Sequence, residues 1–182
     1  MARPREFNYD DALRGAMEIF WQRGYRGTTL PDLLAAMGMT RGSFYQAFGD
    51  KEATYLAALD YYDTAVVSTV VDRLGRCAAP SAVACLLPMF QSSEADTRGC
   101  FICNAMVEMG PEHPEAAQKT RAMADRLRRA ILSVLEHFAS PSPDRTLPET
   151  ADLILHLYFG KQAMGKAGGA AADWEGRLRS LV

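Results

Sequence analysis

"GYRGTTLPDLLAAMGMTRGSFYQAFGDKE", residues 24 to 52, decides the fold. Thr29 stands before Pro31 and an apolar set, Leu33, Leu34 and Met37, that stops at Gly38. A capping hydroxyl, a proline in the first turn and a closing glycine predict a short helix. Thr40 is placed to cap a second one, in which Phe44 and Phe48 stand four apart on one face and Gly49 ends the run. Two short helices around a tight glycine turn form a helix-turn-helix layout.

The flanks extend the pattern. Asn8 can cap a preceding helix whose Leu13, Ala16, Met17 and Phe20 share a face, with Gly24 as its stop. Asp10 and Asp11 fall in its first turn, where the helix dipole favours acids. Asp50 caps a fourth helix running from Lys51 into the seventies. Breakers around Pro80, residues 92 to 99, residues 110 to 115 and residues 139 to 149 divide the remainder into about five further helices. No run alternates as a strand does, so an all-α protein is expected.

The longer stretch "GYRGTTLPDLLAAMGMTRGSFYQAFGDKEATYLAAL" resembles the signature of the TetR (tetracycline repressor) family: Gly-aromatic, Thr-Thr, an aliphatic pair, Gly, a capping Ser/Thr, then Tyr, Phe and Lys at set distances. The likeness covers residues 8 to 60; beyond residue 65 only helical layout and length agree. It implies a DNA-binding domain over residues 1 to 52, with the helix-turn-helix near 28 to 48, and a helical ligand-binding and dimerisation domain over 53 to 182. It also implies a regulator with no enzymatic activity and no cofactor, whose partners are a double-stranded DNA operator and a small-molecule effector.

Carried over position by position, Thr29 and Thr40 sit at helix N-termini, where hydroxyls and free N–H groups grip phosphates. Arg41 and Ser43 open the second short helix, where side chains reach base edges, and arginine suits bidentate bonding to guanine. Gly42 lets the backbone approach. Tyr45 and Lys51 match phosphate-holding positions, and Gln46 can touch backbone or base. Phe44 and Phe48 read as core.

Composition agrees without deciding. The net charge is -2 over 182 residues, yet residues 1 to 51 carry seven Lys/Arg against six Asp/Glu, leaving 13 against 16 for the rest. With the early acids accounted for, Arg3, Arg5, Arg26, Arg41 and Lys51 remain as candidate phosphate contacts. No apolar run reaches the roughly 18 residues of a membrane span, and "MARPREFNYDD" lacks the apolar middle of a secretory signal, so a cytoplasmic protein is expected. In that compartment the four cysteines are expected as thiols rather than a disulfide framework.

Residues 149 to 182 contain Leu153 to Phe159, apolar on nearly every face, which predicts burial on all sides and, by the resemblance, a homodimer interface built from the last two helices. A dimer reads two half-sites about one helical turn apart, so the operator is expected to be pseudo-palindromic. A ligand that favours the wrong separation of the reading helices lowers operator affinity, giving repression relieved by an inducer.

"DTRGCFICNAM", residues 96 to 106, carries the remaining chemistry. With Thr97 as cap, Cys100 falls in the first helical turn next to Arg98, where dipole and cation favour a thiolate, and Cys103 lies a turn deeper on the same face. At that spacing within a helix the Cβ atoms sit about 5 to 6 Å apart, wider than the roughly 3.5 to 4.5 Å of a disulfide, so modification of one thiol by an electrophile or oxidant is the expected reactive chemistry. Inert packing stands beside it, because cysteine is readily buried. No histidine lies at zinc-ligand spacing, so no metal is assigned. Cys100, Phe101, Cys103, Asn104, Val107 and Phe159 are the candidate ligand contacts, with His156 either a core or interface residue or a contact. Two other classes remain: a thiol-based redox enzyme using Cys100 and Cys103, which wants a strand-turn-helix context, and a constitutive DNA-binding protein without a ligand.

Overall fold

The computed structural model describes residues 7–91, 98–138, 144–168 and 172–182. Arg3, Arg5 and Thr97 lie outside them.

Helix α1 (Tyr9–Arg23) starts where the Asn8 side chain accepts the N–H groups of Asp10 and Asp11, and ends at Gly24, whose φ of 76° suits glycine. Helix α2 (Leu30–Met37) opens with a capping box: Thr29 accepts the Asp32 N–H while the Asp32 carboxylate returns to the Thr29 N–H. It closes on the left-handed Gly38. Helix α3 (Arg41–Phe48) is capped by Thr40, and α4 (Lys51–Tyr62) by Asp50. α1 packs on both α2 and α4. The crossing with α2 is close enough that a Cβ on Gly15 would fall 2.2 Å from the Ala36 carbonyl oxygen. Only glycine permits that approach.

The expected long fourth helix is interrupted. After α4 comes one wide π turn, Asp63–Val67, before the rod resumes as α5 (Ser68–Gly75). Arg126 clasps both ends of that turn, bonding the Asp63 carboxylate and, at 2.9 Å, the Ser68 hydroxyl. Five helices follow: α6 (Ala82–Phe90), α7 (Phe101–Glu108), α8 (Pro114–Phe138), α9 (Leu147–Lys166) and α10 (Trp174–Arg179). The 25-residue α8 is the central post, with α4, α5, α6, α7 and α9 packed around it, while α10 lies on α6. The fold is all-α, as expected.

One expectation fails here. Cys77 and Cys85 are joined in a disulfide rather than free. The turn after α5 doubles the chain back around Pro80 and sets Cys77 beside the first turns of α6, a proximity that the spacing of eight does not announce. In the single chain the Leu153 to Phe159 segment has one open side, as a segment expected to be covered by a second subunit would. Ile154 and Leu155 are buried, but Leu153 is 39% exposed and His156 is exposed. Further along α9, Met164 is 64% exposed. His156 is therefore not a core residue of the single chain. Among the described residues no helix is long and apolar enough to cross a membrane.

Candidate functional site

α3 has two faces. Phe44 and Phe48 are buried, with Phe48 stacked on Tyr9 at 4.8 Å between ring centroids. Thr40, Arg41, Gly42, Tyr45 and Gln46 are exposed and Ser43 half-buried, so the outer face and its N-terminus are available to a partner. A Cβ on Gly42 would meet nothing within 4 Å, so nothing in the chain itself requires glycine there. Tyr45, 49% exposed, is held by edge contact with Phe44 at 5.4 Å. Thr29 is also exposed at the start of α2. The Thr40 hydroxyl lies 3.0 Å from that of Ser43, a cap that orders the first turn of α3.

Two of the proposed phosphate contacts have other partners. The Lys51 ammonium lies over the Tyr25 ring, 4.3 Å from its centroid, and partial burial lowers its pKa from the ordinary lysine value. Arg26 pairs with Glu112 at 2.7 Å.

The thiol-bearing helix differs from expectation at its start. Cys100 is not in the first turn of α7 but is its N-cap residue, in extended conformation (φ −98°, ψ 123°), and Cys103 is the third residue of the helix proper. The turn before it is closed by Asn104, whose side chain donates to the Arg98 carbonyl at 3.0 Å, so Asn104 serves the backbone. Arg98 is engaged on α1: its guanidinium stacks on Trp21 at 3.9 Å and pairs with Glu18, an aromatic face and a carboxylate that both suit it. Cys100 is buried and Cys103 only partly. A hydrogen bond from the Cys103 thiol, helped by the Tyr62 hydroxyl, holds the Cys100 pKa below the ordinary thiol value despite burial, and the same bond raises Cys103. Burial raises both Tyr62 and Tyr158 above the phenol range, with Cys100 the next cause for each. Phe101 is fully buried, its ring edge-on to Tyr55 and Tyr62. Phe159 is half-buried beside Tyr158. Val107 was expected in the ligand set, yet it is 80% exposed, although it lies one helical turn past the half-buried Cys103 on the same side of α7.

What the sequence did not reveal is that α7 is fastened to α1 and its following turn at both ends. At its start Trp21 donates from Nε1 to the Gly99 carbonyl at 2.9 Å. At its end the Glu108 carboxylate accepts the N–H of Tyr25 at 2.8 Å and of Arg26 at 2.7 Å. Gly24 makes room for it, since a Cβ there would fall 2.5 Å from Glu108 Oε2. Beside this joint the Tyr55 hydroxyl is buried without a hydrogen-bond partner. Sequence separations near 80 carry no periodic signal, so only the folded chain exposes these pairs.

Among the described residues no group of three or more His, Cys, Asp or Glu could hold a metal ion. A short capped helix with an open polar face, set on two supporting helices, is the reading unit of a helix-turn-helix DNA-binding regulator. Residues 12–58 match the family described as bacterial regulatory proteins, tetR family. The chain is 32% identical over 175 residues, 91% of its length and 83% of the relative's, to the HTH-type transcriptional repressor ComR of Escherichia coli (strain K12). It is 32% identical over 138 residues, 72% and 70% of the two chains, to the uncharacterized HTH-type transcriptional regulator YezE of Bacillus subtilis (strain 168). The fold matches the TetR family transcriptional regulator CifR with a TM-score of 0.76 at 27% identity, covering 99% of this chain and 96% of that one; CifR is seen there as a cysteine mutant complexed with 26-base-pair double-strand operator DNA. The chain belongs to the TetR family and is a DNA-binding transcriptional regulator.

Proposed function

We propose that the chain is a repressor that binds a pseudo-palindromic operator as a homodimer and leaves it when a small-molecule or electrophilic inducer occupies its helical C-terminal part. Residues 1 to 52 form the reading domain and 53 to 182 the ligand-binding and dimerisation domain. The carrying observation is the split of α3 into a buried Phe44 and Phe48 side and an open side bearing Arg41, Tyr45 and Gln46 at a capped N-terminus. Arg41 and Ser43 read base edges, Gly42 permits the approach, and Thr29, Thr40, Tyr45 and Lys51 hold phosphates. The inducer sits among α7 and α9, where Phe101, Cys103 and Phe159 offer apolar contacts near the polar atoms of Cys100 and Tyr158; a few polar groups on apolar walls suit a small organic molecule.

The repressor assignment draws on ComR, which is a transcriptional repressor, and on CifR, seen with operator DNA. The dimer draws on the apolar face of α9, where Leu153 and Met164 are exposed in the single chain. A cytoplasmic location follows from the same reading, since the operator is there. Selection of a binding sequence from random duplexes, followed by fluorescence anisotropy with single-base variants, tests the proposal. A symmetric half-site pair is the expected outcome, and no sequence preference at any salt concentration refutes it.

A further inference from the structure

Cys100 and Cys103 do not stand as two residues inside one helix but as the N-cap and third residue, and three other helix starts in this chain show what that spacing does to side chains. The Thr29 hydroxyl reaches the Asp32 carboxylate at 2.6 Å, Thr146 reaches Glu149 at 2.7 Å, and the Thr40 and Ser43 oxygens are 3.0 Å apart. Thr40 and Ser43 are the informative case, because their Oγ atoms occupy the positions that the two sulfurs occupy on α7. Cys100 (φ −98°, ψ 123°) is in the extended region, as Thr40 is (φ −79°, ψ 157°), and neither has the helical backbone on which a spacing within one helix is reckoned. The separation expected for two cysteines within a helix therefore does not apply.

We infer that Cys100 and Cys103 are a modification site: a dithiol that a hydroperoxide converts to an internal disulfide. The Cys100 thiolate attacks the terminal peroxide oxygen; the O–O bond breaks and the alcohol, or water from hydrogen peroxide, leaves with a proton, giving the sulfenic acid of Cys100. The Cys103 sulfur then attacks that sulfur, the S–O bond breaks, and water leaves with the Cys103 proton. Two thiols and one hydroperoxide become one disulfide, one alcohol and one water. The two sulfurs stand at the N-cap and third positions of α7, the placement that brings the Thr40 and Ser43 oxygens to 3.0 Å at the start of α3.

The consequence for DNA rests on the proposed operator release and follows from what holds residues 98 and 99. Drawing Cys100 toward Cys103 pulls it from Tyr62, whose ring meets Trp21 edge-on at 5.1 Å. It also pulls on Gly99, whose carbonyl takes the Trp21 N–H at 2.9 Å, and on Arg98, stacked on the same indole. Gly99 has little freedom to absorb the shift: its φ is 72°, and a Cβ there would meet the Gln162 carbonyl oxygen of α9 at 3.2 Å. The displacement passes into α1, which carries α2.

The test uses the full chain, reduced and then exposed to hydrogen peroxide, the smallest oxidant of the class, with the thiols then blocked by alkylation. Digestion after Arg98 and Lys119 leaves both cysteines on one peptide. The expected peptide is lighter by two hydrogens and carries no alkyl group, and operator affinity of the oxidised protein falls at least tenfold, returning with dithiothreitol. Cys103→Ser should stop at the sulfenic acid, trapped by dimedone at Cys100. A peptide alkylated at both positions after peroxide, or a cross-link from Cys100 to Cys77 or Cys85, overturns the inference. A disulfide formed without loss of operator affinity overturns its regulatory half. Failure of the reduced protein to bind any operator counts against the proposed function alone, because the peptide map is read without DNA.

Discussion

Glu108 and Tyr25 are 83 residues apart in sequence, yet the carboxylate of the first accepts the backbone N–H of the second at 2.8 Å. Arg26 donates its N–H to the other oxygen at 2.7 Å. One side chain thus ends α7 and holds the turn that follows α1. Glu108→Ala leaves two amides without their acceptor, and a cost of about 1 to 3 kcal/mol in thermal unfolding is expected. Gly24→Ala should act in the same direction by displacing the carboxylate and straining a positive φ. If both variants melt with the wild type, the joint contributes nothing.

Arg41→Ala should cost about 1 to 3 kcal/mol of operator binding and relax the preference at one base pair of each half-site, without loss of stability, because Arg41 is exposed. Lys51→Ala should differ in both respects. Its effect should be uniform across sequences, with the salt slope lower by roughly one, and the lost contact with the Tyr25 ring should reduce stability by about 0.5 to 1 kcal/mol. Anisotropy titrations at several salt concentrations, paired with melting curves, separate the two.

Leu153→Glu should dissociate the dimer while leaving each chain folded. The residue is 39% exposed in the single chain, so a charge there is solvated unless a second subunit covers it. Sedimentation at micromolar concentration reads the result, and a variant that stays dimeric moves the interface elsewhere.

Loss of the Cys77–Cys85 disulfide opens a loop spanning eight positions, and a closed loop of that size is worth about 2 to 3 kcal/mol on the chain-entropy account. Cys77→Ser should lower the Tm by several degrees. Dithiothreitol should lower the wild type similarly and leave the variant unmoved.

Acid should loosen two helix starts first. Asp32 and Glu149 have pKa values held below the ordinary carboxylate range, Asp32 by hydrogen bonds from the Thr29 side chain and backbone, and Glu149 by those from the Thr146 backbone and side chain. A carboxylate lower in the folded chain than in the unfolded one stabilises fully above the unfolded value of about 4 and loses that contribution as pH falls through the folded value. The stability gap between wild type and a doubly substituted Asp32→Asn, Glu149→Gln variant should accordingly shrink below about pH 4. A gap that stays constant from neutral pH to about pH 2 would contradict it.

The sequence was most readable where signals are local. Asn8, Thr29, Thr40 and Asp50 cap the helices they were expected to cap, because a cap acts on amides two or three residues away. Phe44 and Phe48 were legible as core for the same reason. Errors gathered where distant groups compete. The engagement of Arg98 with Trp21 and Glu18 on α1 was not foreseen. Val107 follows Cys103 by one turn on the same side of α7, but among the described residues nothing covers that end of the helix and the residue is exposed. The disulfide was missed because compartment argues about chemistry in general, whereas Cys77 and Cys85 are brought together by one particular turn.

The wide turn at Asp63–Val67 sets a phase. A π turn holds one residue more than an α turn, and each residue rotates a helix by about 100° and lengthens it by about 1.5 Å. Everything after Val67 is therefore rotated relative to an uninterrupted continuation of α4, and α5 meets α8 only in that rotated setting. Deleting a single residue here would restore ordinary winding, carry Leu74 off its buried side and part Ser68 from Arg126. The first three helices would fold unchanged on a mis-keyed shaft. Relatives that differ in length are thus expected to place their insertions in the turns between helices, never in these five residues.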